Sequence, residues 1–139
     1  MRYLLDTCVI SELSKPKPNA DVTRWLSAAQ PLDLYLSVIT IAEIQRGTLR
    51  LAPGRQRARL AEWTEQLARS FSGRIFPVDE TIAARWAEIA ARAEQSGRTA
   101  SFADGLIAAT ALRHDMTLVT RNLNDFAPFP TKLFSPWDA

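Results

Sequence analysis

Residues 3–11 read YLLDTCVIS, an apolar run with the look of a buried strand that ends on a bare carboxylate, Asp6. Beyond it, Val9, Ile10 and Leu13 recur at helical spacing until the proline-rich KPKPN of residues 15–19 stops them. A short strand therefore hands over to a short helix at Asp6. An acid at such a junction is either a helix cap or part of a site. The capping-box position three residues on is Val9, which cannot return a hydrogen bond, so capping alone is a weak account.

The alternation continues outward from there. ADVTRWLSAAQ (20–30) places Val22, Trp25, Leu26 and Ala29 on one helical face, DLYLSVIT (33–40) is rich in β-formers, and IAEIQRGTLRL (41–51) returns to helical spacing. Residues 55–71 carry Leu60, Trp63, Leu67 and Phe71 with charges between them, and Gly73 is expected to cap that helix. RIFPV (74–78) and MTLVT (116–120) are further strand candidates. DETIAARWAEIAARAEQSG (79–97) reads as a long amphipathic helix and FADGLIAATALRHD (102–115) as a mostly apolar one. PFPTKLFSPWDA (128–139) reads as a last short strand with an ordered apolar tail. Strands separated by helices imply an α/β fold in three layers, α/β/α, with a mainly parallel central sheet. Sites in such sheets form at the carboxyl ends of the strands.

With 139 residues and 47% hydrophobic content, the chain is expected to form one domain over residues 1–139, with a core that needs no staples. Cys8 is the only cysteine, so no internal disulfide is possible, and the first residues lack the apolar core of a secretory signal. A cytoplasmic protein is expected. No apolar run approaches the roughly 20 residues needed to span a bilayer. The net charge of +2 and pI near 9.0 permit an anionic partner without establishing one.

Three acids fall where strands hand over to helices or where a helix opens beside such a place: Asp6, Glu43 and Asp104. Thr40 to Glu43 and Ser101 to Asp104 both have capping-box spacing, so a structural role competes for two of them. TRNLNDF (120–126) adds Asn122 and Asp125, residue types that also form ordinary turns. The functional reading comes from joint position, since a parallel sheet brings these acids to one edge. Carboxylates gathered there repel, so one is protonated or a cation sits among them, and helix N-termini favour the ionised form. Oxygen ligands without a His or Cys set suit Mg²⁺, or Mn²⁺, rather than Zn²⁺. Such a site can activate water for in-line displacement at a phosphodiester.

LLDTCVISEL, ITIAEIQRG, FADGLIAATALRHDMTLVTRNLNDF and FSPW together resemble the PIN-domain family, specifically the VapC-type ribonuclease toxins of toxin–antitoxin pairs. The resemblance implies that Asp6, Glu43 and Asp104 are metal-site acids. It also implies an Mg²⁺-dependent endoribonuclease acting on RNA, tRNA included, with a cognate antitoxin and a homodimeric assembly. Where many members carry a further acid after the T-R pair, this chain has Asn122, with Asp125 three residues on, so either is a candidate fourth ligand and Asp125 a further catalytic acid. The family often has Asn where this chain has Cys8. Thr7, Arg46, Thr120 and Arg121 are the candidates for holding substrate. A DNA or structure-specific nuclease is the alternative on the same site. A receiver-like phospho-acceptor module is the nonenzymatic one, disfavoured because the second strand candidate ends in SVIT rather than in an aspartate.

Cys8 is expected to pack as an inert small hydrophobe. His114 is expected near a helix C-terminus, where an imidazolium interacts favourably with the dipole. Arg46, Arg50, Arg55, Arg57 and Arg59 form either a solvated face or a surface for phosphate or an antitoxin. Trp25, Trp63 and Trp86 lie on apolar helix faces and are expected to pack in the core.

Overall fold

In the computed structural model, which describes residues 1–138, the chain leaves β1 (Tyr3–Leu5) directly into α1 (Thr7–Leu13), with Asp6 between them. The helix α2 (Ala20–Ala28) follows, capped by the Asn19 side chain. A one-turn helix then leads into β2 (Leu34–Ser37), which passes without a loop into α3 (Val38–Leu49). Next come α4 (Arg55–Ser70), β3 (Ile75–Phe76), α5 (Glu80–Gln95) and α6 (Phe102–Arg113). The chain finishes with β4 (Thr117–Val119), the short α7 (Leu123–Phe126), β5 (Leu133–Phe134) and a 3-10 turn at Pro136–Asp138.

All neighbouring strands are parallel, in the order β3-β2-β1-β4-β5. Two hydrogen bonds carry the ladder past the strand ends: Asp6 N donates to Val119 O at 2.9 Å and Thr120 N to Phe134 O at 2.9 Å. Because β1 is the middle strand, its carboxyl end opens at the centre of the sheet edge.

Side chains alternate across the sheet, as the pleat requires. Leu4 and Leu118 enter one layer, with Ile82, Ile89, Ile107 and Phe126 of the helices α5, α6 and α7. Leu5, Leu36 and Val119 enter the other, with Val9, Ile10 and Val22 of α1 and α2. Each fully buried apolar side chain contributes roughly 1.5–3 kcal/mol. The two helical layers, rather than the two-residue edge strands, therefore hold the sheet together. Trp25 and Trp63 pack against the second layer and Trp86 against the first, as expected from their spacing.

Local boundaries differ from the sequence reading at four places. The β-branched run VIT (38–40) belongs to α3 rather than to a strand, because Ser37 caps the helix by accepting from Ile39 N at 3.0 Å. The spacing from Thr40 to Glu43 is thus no capping box, and Glu43 sits inside the helix. The helix α4 is capped at Phe71, with Gly73 two residues further on in the left-handed region (φ 80°), where it turns the chain. TRNLNDF contains α7 rather than an open loop. In the tail, β5 and the buried Trp137 lie where expected, and Ala139 is outside the described residues. Among the described residues, no helix is long and apolar enough to cross a membrane.

Glu12 is buried in α1 and accepts hydrogen bonds from Lys15 Nζ and Asn19 N, both at 2.9 Å, which fastens the proline-rich turn. On the other layer, Gly105 lets α6 meet α5. A Cβ there would stand 2.7 Å from both Cδ1 and Nε1 of Trp86, closer than packed atoms tolerate. Replacing Gly105 by Ala is expected to cost about 1–3 kcal/mol in urea unfolding, as overpacking does. A double variant with Trp86→Leu should recover part of that loss. An unfolding midpoint unchanged by Gly105→Ala would refute the contact.

Candidate active site

Asp6 is 4% exposed, unusually buried for a carboxylate, and its environment is built by three donors. Thr7 N donates to Oδ1 at 2.8 Å, Thr120 Oγ1 donates to Oδ2 at 2.8 Å, and Cys8 Sγ donates to Oδ2 at 3.4 Å. Asp6 is also the N-cap of α1, so the helix cap and the site acid are one residue. Burial pushes its carboxyl above the ordinary range; the Thr120, Thr7 and Cys8 bonds pull the other way, and the charge of Glu43 adds to the rise.

Glu43 reaches the site from the second turn of α3. The Thr7 hydroxyl donates to its Oε1 at 2.6 Å and also lies 3.5 Å from the buried Thr40 hydroxyl. Asp104 is held in the first turn of α6, whose N-cap Ser101 accepts from Asp104 N at 3.0 Å. Burial pushes the Asp104 carboxyl up to about 6, Asp6, Glu43 and Asp125 push it the same way, and the Ser101 hydroxyl opposes them. The acids of β1, α3, α6 and α7 therefore share one field.

The remaining candidates divide between the edge and its surroundings. Asn122 sits at the N-cap position of α7 without a side-chain cap bond, and its N–H donates to Thr120 Oγ1 at 3.0 Å. Asp125, on the one turn of α7, lies near enough for its charge to act on Asp104. Thr120 is fully buried, its hydroxyl shared among Asp6, Cys8 and the Asn122 amide. Thr7 is occupied with Glu43. Arg121 is exposed and lies 5.6 Å from the Trp137 ring, in cation–π range. Arg46, Arg50, Arg55 and Arg59 are exposed and Arg57 half-buried; among the described residues none of the five forms a salt bridge.

Two single residues differ from their expected surroundings. Cys8 is half-buried rather than an apolar bystander: its sulfur donates to Asp6 and accepts from Arg121 N at 3.3 Å. Burial and the Asp6 charge push its thiol up to about 11, so it stays protonated and serves as a donor rather than a nucleophile. His114 caps α6, with its ring stacked 3.8 Å from Phe76. Burial and the nearby Arg113 and Arg2 lower its pKa against the opposing charge of Asp79, favouring the neutral ring. Thr40, read from its spacing as a helix cap, instead lies inside α3 beside the Thr7 hydroxyl, and the actual cap, Ser37, was not anticipated; a Ser directly before a helical run was its signal.

Chemically, the donors are hard oxygens carrying more negative charge than the pocket holds comfortably, which suits a hard divalent cation. Among the described residues, no three His, Cys, Asp or Glu side chains stand close enough to hold a metal ion as a set. The acids share a field without converging on one point.

A parallel sheet with acids at its central carboxyl edge is the frame of a known class of domain. Residues 3–128 match the PIN domain family, and the chain belongs to it. Among its relatives is Toxin FitB of Neisseria gonorrhoeae, 43% identical over 135 residues that span 96% of this chain and 97% of that protein. VapC ribonuclease Y4jK of Sinorhizobium fredii is 35% identical over 136 residues, covering 97% of each. The crystal structure of FitAcB from Neisseria gonorrhoeae superposes with a TM-score of 0.92 at 42% identity, over 99% of both chains.

The raised pKa of Asp104 has a consequence for stability. A carboxyl lifted from 3.8 to about 6 on folding stabilises the folded form fully below about pH 4, and that contribution is lost as pH rises through 6. Half-open to solvent, the group is screened to about 1 kcal/mol. In EDTA, Asp104→Asn is expected to raise the Tm by roughly 2–4 °C at pH 7.5 and by almost nothing near pH 4. A difference that does not vary with pH would contradict the crowding of charge.

Proposed function

We propose that the chain is the toxin of a toxin–antitoxin pair and acts as a divalent-metal-dependent endoribonuclease. The observation that carries this reading is the oxygen-only acid set of Asp6, Glu43, Asp104 and Asp125 sharing one field at the carboxyl edge of the sheet. The ribonuclease and toxin names of relatives that align along nearly the whole chain support it. Asp6, Glu43 and Asp104, which do not converge on one point, would hold Mg²⁺ or Mn²⁺ partly through its retained waters, and the ion would lower the pKa of water and offset charge on the scissile phosphate. Asp125 is the preferred fourth acid, because its charge acts on Asp104, and Asn122 is the alternative ligand.

The protein side chains supply position. Thr120, Thr7 and Cys8 fix the Asp6 carboxylate, and the Thr7 hydroxyl orients Glu43. Arg121, steadied against Trp137, and Arg46 are free to bind the substrate phosphates. Water attacks phosphorus, the bond to the leaving oxygen breaks, and the proton lost by water passes to solvent or to a carboxylate of the set. A receiver-like module fits less well, although not for strand order, since β1 is itself the middle strand and ends at Asp6. The ribonuclease and toxin names of relatives that align along nearly the whole chain lend no support to a phospho-acceptor role.

The partner reading follows from solved relatives. A chain of FitAB, solved bound to an IR36 DNA fragment, matches with a TM-score of 0.91 at 43% identity, and a chain of a toxin–antitoxin complex from Klebsiella pneumoniae matches with a TM-score of 0.74 at 25% identity. We infer a cognate antitoxin for this chain too, a homodimeric assembly and action in the cytoplasm.

The decisive experiment incubates the purified chain with total RNA, with tRNA and with single-stranded DNA, in Mg²⁺, in Mn²⁺ and in EDTA. RNA should be cut only with metal, and Asp6→Asn and Asp104→Asn should each lower the rate at least 100-fold while the circular dichroism stays the same. Cleavage persisting in EDTA would overturn the metal reading; cleavage of DNA alone would favour the alternative nuclease.

A further inference from the structure

The row of arginines after Glu43 was left open between a solvated face and a binding surface, and the helix settles how it is arranged. Glu43 and Arg46 lie within α3 and Arg50 is its C-cap, still in helical conformation; spaced i, i+3 and i+7, the three lie within about 60° of one another on one face. At 1.5 Å per residue, Arg46 stands about 4.5 Å and Arg50 about 10.5 Å along the axis from the site acid. Both are exposed and, among the described residues, neither meets a carboxylate. A solvated helical face more often interleaves acids at i+4 to offset such charge; here the i+3 and i+4 partners of Arg46 are Leu49 and Arg50.

The space beside this face is open. Gly47 lies between the two arginines, and a Cβ there would meet nothing within 4 Å. A cleft of about 190 Å³ opens on the opposite flank of Glu43 from the arginines, lined by Thr7, Ser11, Glu43, Gly47 and Trp63 among others and by neither Arg46 nor Arg50. Glu43 is therefore the residue common to the cleft and to the arginine face, with the cleft on one side of it and the arginines on the other.

We propose that Arg46 and Arg50 form a phosphate track along α3 that holds the backbone of single-stranded RNA as it approaches the acid edge at Glu43. The inference rests on the ribonuclease reading and deepens it by naming where the strand lies. Charge complementarity selects the occupant: two unpaired guanidiniums spaced along a helix match successive phosphates of a strand, with no demand on base sequence. An acidic protein segment is the other occupant the row could take, and the test separates them.

Binding of a fluorescein-labelled 20-nucleotide single-stranded RNA to the Asp104→Asn chain is followed by anisotropy in EDTA, from 50 to 400 mM KCl. Adding Arg46→Gln and Arg50→Gln should weaken binding about tenfold or more at low salt and make the slope of log K against log salt shallower by about 1.4, or 0.7 for each lost phosphate contact. A control pair with the same charge change, Arg69→Gln and Arg113→Gln, lies at the helix ends that feed the amino ends of β3 and β4, and should leave the slope unchanged. Equal losses in both pairs would reduce the track to net charge and overturn it. Unchanged affinity and slope in the α3 pair would overturn it as well, leaving the row to a protein partner. Cleavage by the parent chain is measured separately: a parent that cuts RNA while the α3 pair binds normally sinks only the track, and a parent that cuts none sinks the ribonuclease reading.

Discussion

The hydrogen bond from Thr120 to Asp6 joins the ends of the two central strands, and the site is arranged around it. A carboxylate that is 4% exposed is tolerated only with donors on its oxygens, since an unpaired buried charge costs several kcal/mol. Thr120 arrives at Asp6 because β4 runs parallel to β1 in register, with Leu5 opposite Val119. The next residue of each strand therefore emerges at the same level of the edge. Once Asp6 is fixed, its neighbour Thr7 starts α1 and holds Glu43, while Asn122 N closes on Thr120 to start the turn that carries Asp125.

Charge crowding is the counterpart of that order. Asp104 is pushed up to about 6 by burial and by three acids, a mutual repulsion that a cation would relieve. Folded stability is given up locally where chemistry needs charge, which is why the acids sit on the ends of well-packed elements rather than on loops. Buried Leu5, Ile10 and Leu36 beneath the edge, and Ile107 and Ala108 behind Asp104, keep those ends in place.

Much of this was legible in the sequence, for physical reasons that also explain the misses. Short apolar and β-rich runs alternating with stretches of helical spacing pointed to the three layers and the parallel sheet, and with them to the edge at which the acids gather. The start of α3 was not legible by composition, since Val38, Ile39 and Thr40 favour strands in isolation; the Ser37 cap and packing of the helix overrode that preference. Glu43 was therefore placed on the right edge with the wrong local role. The thiol of Cys8 reads from sequence as a small hydrophobe, and only the fold reveals Asp6 and the Arg121 amide beside it. His114 was judged by the helix dipole alone, because Arg2, distant in sequence, comes to its carbonyl only through the sheet.

The central claim is that Thr120 holds Asp6 in the orientation a hard cation needs. Mn²⁺ calorimetry on the parent chain, Thr120→Ser and Thr120→Val tests it most directly, with circular dichroism to check that each folds. Removing a hydrogen bond that orients a ligand typically lowers metal affinity 10–100-fold. Thr120→Val should therefore bind Mn²⁺ at least about tenfold more weakly than the parent, and Thr120→Ser, which keeps the hydroxyl, should stay close to it. A folded Thr120→Val chain that binds Mn²⁺ as tightly as the parent would contradict the account.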